Sequence, residues 1–208
     1  MSHLPLTAGQ RTAKPAQSFA RSTIISSLAL LLILAQPASS FAAADPMTLG
    51  EYQIKAGFLF NFTRFVTWPE KTFATAASPI VICVVGDTPI TDPLIEAAAG
   101  KVVDGHVVSV KHMKAGEDLR GCNLLFISSS EERHAVQILD SLKGLNVLTV
   151  GEDQGVARAG AIINFTIQEN KVKLEINLDA ANQTNLKLSA KLIAVSRIVS
   201  PSSAGKRN

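Results

Sequence analysis

The sequence has few aromatic and few charged residues. Aromatic residues make up 5% of its 208 residues, with one Trp and one Tyr, which disfavours a stacking platform for single-stranded nucleic acid. Charged residues make up 18% and hydrophobic residues 47%, a composition too apolar for a disordered chain and typical of one ordinary domain. The sequence contains no GxSxG, Walker A, GxGxxG or HExxH motif. We therefore expect a protein that is not an enzyme, with no catalytic residues, no metal and no cofactor.

The excess of basic charge is confined to the first 44 residues. This segment contains Arg11, Lys14 and Arg21 and no acidic residue. Subtracting these three from the 20 basic residues of the chain leaves 17 basic against 17 acidic residues. The pI near 9.0 is therefore no evidence for binding nucleic acid, and we expect no nucleic-acid partner.

The same segment has the organisation of a secretory signal. Basic residues precede the apolar run Ile24–Ala35, and small residues at Ser40, Ala42 and Ala44 follow it. The run is shorter than the ~20 residues of a transmembrane helix, so the alternative of a membrane anchor is disfavoured. We predict that residues 1–44 are a signal peptide cleaved after about residue 42 or 44, and that the protein is soluble in the periplasm. Residues 45–200 are predicted to form one domain, and residues 201–208 a flexible tail.

Only two cysteines are present, Cys83 and Cys122. Export to an oxidising compartment favours a disulfide between them, worth at most roughly 4 kcal/mol by the loop-entropy model. Two cysteines without nearby histidine spacing make a poor zinc site. The alternative is a pair of buried free thiols.

Hydrophobic periodicity predicts an α/β domain. The first helix, over residues 49–66, carries an apolar stripe that starts at Ile54. Asp92 is predicted to cap the next helix, and Ser128 and Ser129 to form capping boxes at the start of a third. The predicted strands are 79–85, 106–112, 123–127, 146–150, 161–167 and 172–177, and the predicted helices are 49–66, 92–99, 128–143 and 180–199.

This order indicates a single-domain α/β sandwich. Strands that alternate with helices favour a mostly parallel sheet with helices on both faces. The last two strands are separated only by residues 168–171, which predicts an antiparallel C-terminal hairpin.

Two groups of residues are candidates for binding. Asp87 and the triplet Ser128, Ser129 and Ser130 each follow a predicted buried strand, where α/β proteins often bind ligands; turn formation and helix capping explain them equally well. Phe60 lies outside the apolar stripe, on the side of Arg64 and Thr67. Such an aromatic residue packs either in a second buried layer or in an interface with a second copy or another protein.

Several short stretches, taken together in their order and spacing, resemble the YfiR family of bacterial periplasmic proteins over residues 50–200. They are residues 54–62 (IKAGFLFNF), 68–69 (WP), 82–87 (ICVVGD), 121–127 (GCNLLFI), 148–150 (LTV), 160–165 (GAIINF), 175–177 (EIN) and 188–192 (LSAKL).

The resemblance implies regulation rather than catalysis. It implies a periplasmic repressor that binds the sensor part of an inner-membrane diguanylate cyclase, which lowers cyclic di-GMP and biofilm formation, and an outer-membrane lipoprotein that relieves the repression. A homodimer is also expected. Cys83 and Cys122 match one disulfide of the family, whereas residues 151–160, which match the region of a second one, contain no cysteine. The alternatives are a periplasmic small-ligand binding protein, a sensor module for another output such as a histidine kinase, and an exported enzyme of unrecognised type.

Overall fold

The structure is a computed structural model and describes residues 46–114 and 116–200. The predicted signal peptide and the predicted tail lie outside these residues. The strands are β1 (Val66–Thr67), β2 (Ile80–Val85), β3 (Val102–Val103), β4 (His106–Met113), β5 (Leu124–Ile127), β6 (Leu148–Gly151), β7 (Ile163–Gln168), β8 (Lys171–Asn177), β9 (Lys187–Leu188) and β10 (Arg197–Val199). The α-helices are α1 (Pro46–Phe65), α2 (Thr91–Ala98), α3 (Ala135–Ser141), α4 (Gln154–Ala159), α5 (Leu178–Asn182) and α6 (Ala190–Ala194), and short 3₁₀ helices span Glu70–Thr72 and Ser129–His134.

The main sheet has eight strands in the order β10-β8-β7-β6-β5-β2-β4-β3. All neighbouring pairs are parallel except β3–β4 and the hairpin β7–β8. Glu169 and Asn170 both have positive φ at the hairpin turn, as a tight two-residue connection requires. The predicted mostly parallel sheet with an antiparallel hairpin is therefore confirmed. Strands β1 and β9 form a separate antiparallel pair.

Helices cover both faces of the sheet, as predicted. Side chains alternate along β2, so that Ile82 and Val84 point to the first face and Cys83 and Val85 to the second. Helices α1, α2, α5 and α6 supply apolar residues to the first core, and α3 and α4 supply them to the second. All six β2 side chains are buried, as expected for a strand covered on both sides.

Helix α1 packs on the first face through Ala56, Leu59 and Phe62. The predicted stripe is wrong at its start, because the side chain of Ile54 is 54% exposed. Lys55 occupies the buried position there, and its ion pairs with Glu51 and Glu152 make that burial possible.

The predicted caps of two helices are wrong. Asp92 lies within the first turn of α2, and Ile90 stands at the N-cap position. Residues 129–134 form a 3₁₀ helix before α3 begins at Ala135, and the side chain of Ser128 makes no capping hydrogen bond. The Ser128 hydroxyl instead bonds to the Ser130 hydroxyl, so the serines act on each other rather than on the helix end.

The predicted helix over 180–199 is also wrong. Leu188 pairs with Val66 in the small sheet, and Ile198 pairs with Ile176 in the main sheet. Two short helices occupy the rest of this stretch, and Ser189 caps the second of them. Pairing with distant strands overrides the local helical pattern here. Within residues 46–114 and 116–200, no helix combines the length and apolar character that a membrane span requires.

Candidate functional site

The carboxyl ends of β2, β5 and β6 bring a set of polar residues together at one edge of the sheet. Gly86 and Asp87 follow β2, Ser128 follows β5, and Glu152 follows β6. The chain leaves β2 through α2 on the first face and leaves β5 through α3 on the second face. Ligands of open α/β sheets often bind where successive connections diverge in this way.

The structure brings the predicted residues of this edge into direct contact. The Asp87 backbone N–H donates to the Ser130 hydroxyl at 2.8 Å, and the Ser128 and Ser130 hydroxyls lie 2.7 Å apart. Ser128 is fully buried, whereas Asp87 and Ser129 are exposed. The hydroxyls are thus engaged within the chain, and the role of these four residues as a ligand site stays a prediction.

A buried lysine, which the sequence analysis missed, lies beside this edge. Lys55 Nζ is 2.7 Å from a Glu152 carboxylate oxygen and 2.5 Å from a Glu51 carboxylate oxygen. Its side chain is 5% exposed and that of Glu152 is 3% exposed. Lys55 Nζ also lies 4.7 Å from the centre of the Tyr52 ring, within the range of a cation–π contact. The i,i+4 spacing of Glu51 and Lys55 was the available sequence signal, but nothing in the sequence indicated Glu152.

The charges of this cluster stabilise one another. Burial acts to lower the pKa of Lys55, but the hydrogen bonds that its ammonium donates to Glu152 and Glu51, together with their negative charges, outweigh it, so the pKa is raised. Burial, and next the charge of Glu152, raise the pKa of Tyr52. The lysine is therefore held as a cation and the phenol as its neutral form.

Glu152 joins three parts of the fold. One carboxylate oxygen accepts from Lys55 of α1, and the other accepts from the backbone N–H of Ser129 at 3.2 Å. Glu152 itself follows β6 directly. The Lys55–Glu152 pair thus fastens α1 to the loops that carry the predicted serines.

The histidines of the described residues have separate partners. His106 stacks on Phe73 at 4.0 Å between ring centres, and one of its ring nitrogens lies 2.6 Å from the Ser78 carbonyl oxygen. His112 Nε2 lies 3.1 Å from the Gly86 carbonyl oxygen, and His134 Nδ1 lies 2.8 Å from a Glu131 carboxylate oxygen. These contacts place each ring in a local structural role.

The second predicted group lies at the other end of α1. Phe60 is half-buried and packs against the first core, whereas Arg64 and Thr67 are exposed. Thr67 belongs to β1 and pairs with Lys187 of β9. The role of these three residues in an interface stays a prediction.

The predicted disulfide is confirmed. Cys83 in β2 is bonded to Cys122, with 5.8 Å between their Cα atoms, and both residues are buried in the second core. The bond ties the connection between β4 and β5 to β2.

Surface cavities of about 360 to 750 Å³ lie away from the predicted ligand residues. The first cavity lies along β7, β8 and β10, and the second lies between the ends of α3 and α4. The third borders Cys122, and the fourth borders Thr67. Neither Asp87 nor any of the three serines lines any of these four.

Comparison with known families assigns the domain. A family model described as YfiR/HmsC-like matches residues 52–197. The chain belongs to the YfiR/HmsC-like family. The YfiR/HmsC-like match extends from α1 to β10 and so includes the Lys55–Glu152 pair, the disulfide and both cores. The resemblance identified from the sequence is therefore confirmed.

Proposed function

We propose that this protein is a periplasmic regulator that binds the periplasmic sensor part of an inner-membrane diguanylate cyclase and represses it. The observation that carries the proposal is the YfiR/HmsC-like match over residues 52–197. Repression keeps cyclic di-GMP low and limits biofilm formation. An outer-membrane lipoprotein relieves the repression, and the repressor acts as a homodimer.

The organisation of the described domain supports a role in protein binding. The polar groups at the strand ends bond to one another, and the buried Lys55 is neutralised by Glu152 and Glu51. Because these polar groups already have partners within the domain, they stabilise the fold, and contacts with another protein would come from side chains on the surface. It favours a regulatory domain over the alternative of a small-ligand binding protein, which needs free polar groups in a cavity.

We place the contact with the sensor or with a second copy at Phe60, Arg64 and Thr67. Arg64 is exposed on the outer side of α1, and arginine is enriched at interface centres. Phe60 presents part of its ring beside it. The cavity that Thr67 borders, of about 750 Å³, gives the surface a concave margin.

Deleting the gene and measuring cyclic di-GMP tests the proposal. We expect cyclic di-GMP and biofilm to rise, and the full-length chain to restore the low level. A version without residues 1–44 should fail to restore it, because it stays in the cytoplasm. An unchanged cyclic di-GMP level after deletion would contradict the proposed function.

Charge reversal tests the contact surface. Arg64→Glu should abolish co-purification with the cyclase and raise cyclic di-GMP while the free energy of unfolding stays unchanged. Arg133→Glu, at another exposed arginine, is the matched control and should keep full repression. Equal behaviour of the two variants would exclude the proposed surface and leave the regulatory function standing.

A further inference from the structure

The edge of the sheet at β3 and β4 is incompletely paired. Strand β3 is outermost and pairs with β4 only through Val102 with Val107 and Val103 with His106. Strand β4 continues to Met113. Within the described residues, no strand lies beside the second half of β4 on this side.

The backbone of this half-strand offers hydrogen-bonding groups to a further strand. The Val108 N–H donates to the Lys101 carbonyl oxygen at 3.0 Å, so it points to the outer edge. Backbone groups of successive residues in a strand point to opposite edges. The N–H and C=O groups of Val110 and His112 therefore point outward as well, whereas those of the residues between them serve the pairing with β2.

An exposed apolar pair lies next to this open edge. Val102 and Val107 are directly opposite each other, and their side chains are 59% and 53% exposed. An open strand edge beside exposed apolar side chains is a template for pairing with another chain. Recognition by strand addition uses main-chain hydrogen bonds together with such apolar contacts.

The positive charge of the lysines at this edge favours an acidic partner strand. Lys111 is exposed within the unpaired half of β4, and the exposed Lys101 and Lys114 flank it. Pairing with the same edge of a second copy would bring two sets of lysines together. A strand with carboxylates opposite Lys111 would instead be attracted, since opposite charges across a strand pair stabilise it.

We propose that the open edge of β4 binds an extended acidic segment of a partner protein by strand addition, with apolar side chains of that segment covering Val102 and Val107. This surface is separate from the one assigned to the cyclase. Its existence does not depend on the proposed regulatory function.

Titration with two model peptides tests the proposal. The probes are capped peptides of about six residues, a typical strand length. Val107 and Lys111 lie on the same face of the sheet, because side chains alternate along β4. Each peptide therefore carries a Val for the valine pair and, two residues away on the same face, a Glu or a Lys for Lys111. NMR of the mature protein should show binding of the Glu peptide, with shifts in β3 and β4. The amide hydrogens of Val110 and His112 should become protected from exchange. The Lys peptide should bind about fivefold more weakly, since the loss of one attractive pair and the gain of one repulsive pair together correspond to roughly that factor.

A matched pair of variants separates main-chain pairing from side-chain contact. His112→Pro removes the outward N–H at a position where an edge strand tolerates proline, and it should weaken binding about fivefold or more. His112→Ala keeps the N–H and should bind as the parent does. Lys111→Glu should reverse the preference between the two peptides, whereas Lys171→Glu, in the hairpin, should not.

Absence of binding by the Glu peptide would overturn the proposal, as would binding that shifts other elements. Equal affinity of the proline and alanine variants would also overturn it. Self-association of the parent that His112→Pro abolishes would show that a second copy occupies the edge instead.

Discussion

Gly86 illustrates how a single residue sets the geometry of the strand-end cluster. Its φ is +93°, and a Cβ at this position would lie 2.5 Å from the Ser130 hydroxyl oxygen and 2.7 Å from Glu131 Cγ. Only glycine adopts this φ freely and leaves that space empty. The close approach lets the next residue, Asp87, donate its N–H to Ser130.

Gly86→Ala should therefore destabilise the fold by about 2 to 4 kcal/mol, from backbone strain and overpacking together. Gly100→Ala is the control, because Gly100 has φ +66° but no atom within 4 Å of its added Cβ. We expect urea denaturation to show a loss of about 1 kcal/mol for Gly100→Ala, from strain alone. Equal losses in the two variants would contradict the steric part of this account.

The buried pair of Lys55 and Glu152 makes a second residue-scale prediction. Lys55→Met leaves the Glu152 carboxylate buried without its cation, and breaking a buried pair in this way costs about 3 to 5 kcal/mol. Adding Glu152→Gln removes the unpaired charge and should recover part of that loss. The control is Lys143→Ala, whose pair with Asp140 has side chains 74% and 55% exposed; it should change stability by less than about 0.5 kcal/mol. A double variant less stable than Lys55→Met would contradict the ionic explanation.

The same cluster predicts an alkaline limit to stability. The pKa values of Lys55 and Tyr52 are both raised in the folded protein. A raised folded pKa stabilises the fold fully below the unfolded value, near 10 for both groups, and that contribution is lost as the pH rises through the folded pKa. Thermal unfolding should show a steep fall in Tm above about pH 10, and Lys55→Met should show a shallower one. A parallel fall in both proteins would assign the effect to other groups.

Among the elements, the disulfide joins β2 to the segment that leads into its neighbour β5. It links residues 39 apart in sequence, and the entropic estimate for such a loop is roughly 4 kcal/mol. Reduction should lower the free energy of unfolding by less than this, because measured effects are often smaller than the entropic estimate. Chemical denaturation with and without reductant measures the difference, and the Cys83→Ala/Cys122→Ala variant should be insensitive to reductant. Two titratable thiols in aerobically purified native protein would contradict the bond.

The elements differ in how far local sequence determines them. The apolar run Ile80–Val85 predicts its strand because burial on both faces demands apolar residues at every position. The stretch from residue 180 to 199 has a helical pattern, but the pairing of Leu188 and Ile198 with distant strands decides its structure. Such long-range pairing leaves no local signal. The same reason hides Glu152, whose partner Lys55 is 97 residues away.

At the scale of the whole molecule, the two ends of α1 are held by different parts of the fold. The amino-terminal half is fastened by Lys55 to the strand-end loops. The carboxyl-terminal half borders the small sheet, where the Ser189 N–H donates to the Phe65 carbonyl oxygen at 2.8 Å. Predicting Phe60 as either a core or an interface residue was as far as the sequence allowed, because its burial depends on how α1 packs against the first core, which is built from residues across the whole chain.

Phe60→Ala tests what this half-buried position contributes to stability. Phe60 packs on the first core but keeps part of its ring exposed, so truncation should cost about 1 to 3 kcal/mol, less than the 3 to 5 expected for a fully buried phenylalanine. Phe62→Ala, at a residue that is 1% exposed, supplies the upper reference.

If Phe60 also contacts the sensor, Phe60→Ala should impair repression more than its stability loss explains. Measuring cyclic di-GMP and the folded fraction in the same cells separates the two effects. Phe62→Ala should lose repression only in proportion to its folded fraction. A Phe60→Ala protein with unchanged stability, unchanged oligomeric state and full binding to the sensor would contradict both roles, since a large aromatic side chain that neither packs nor binds has no physical reason to lie half-buried there.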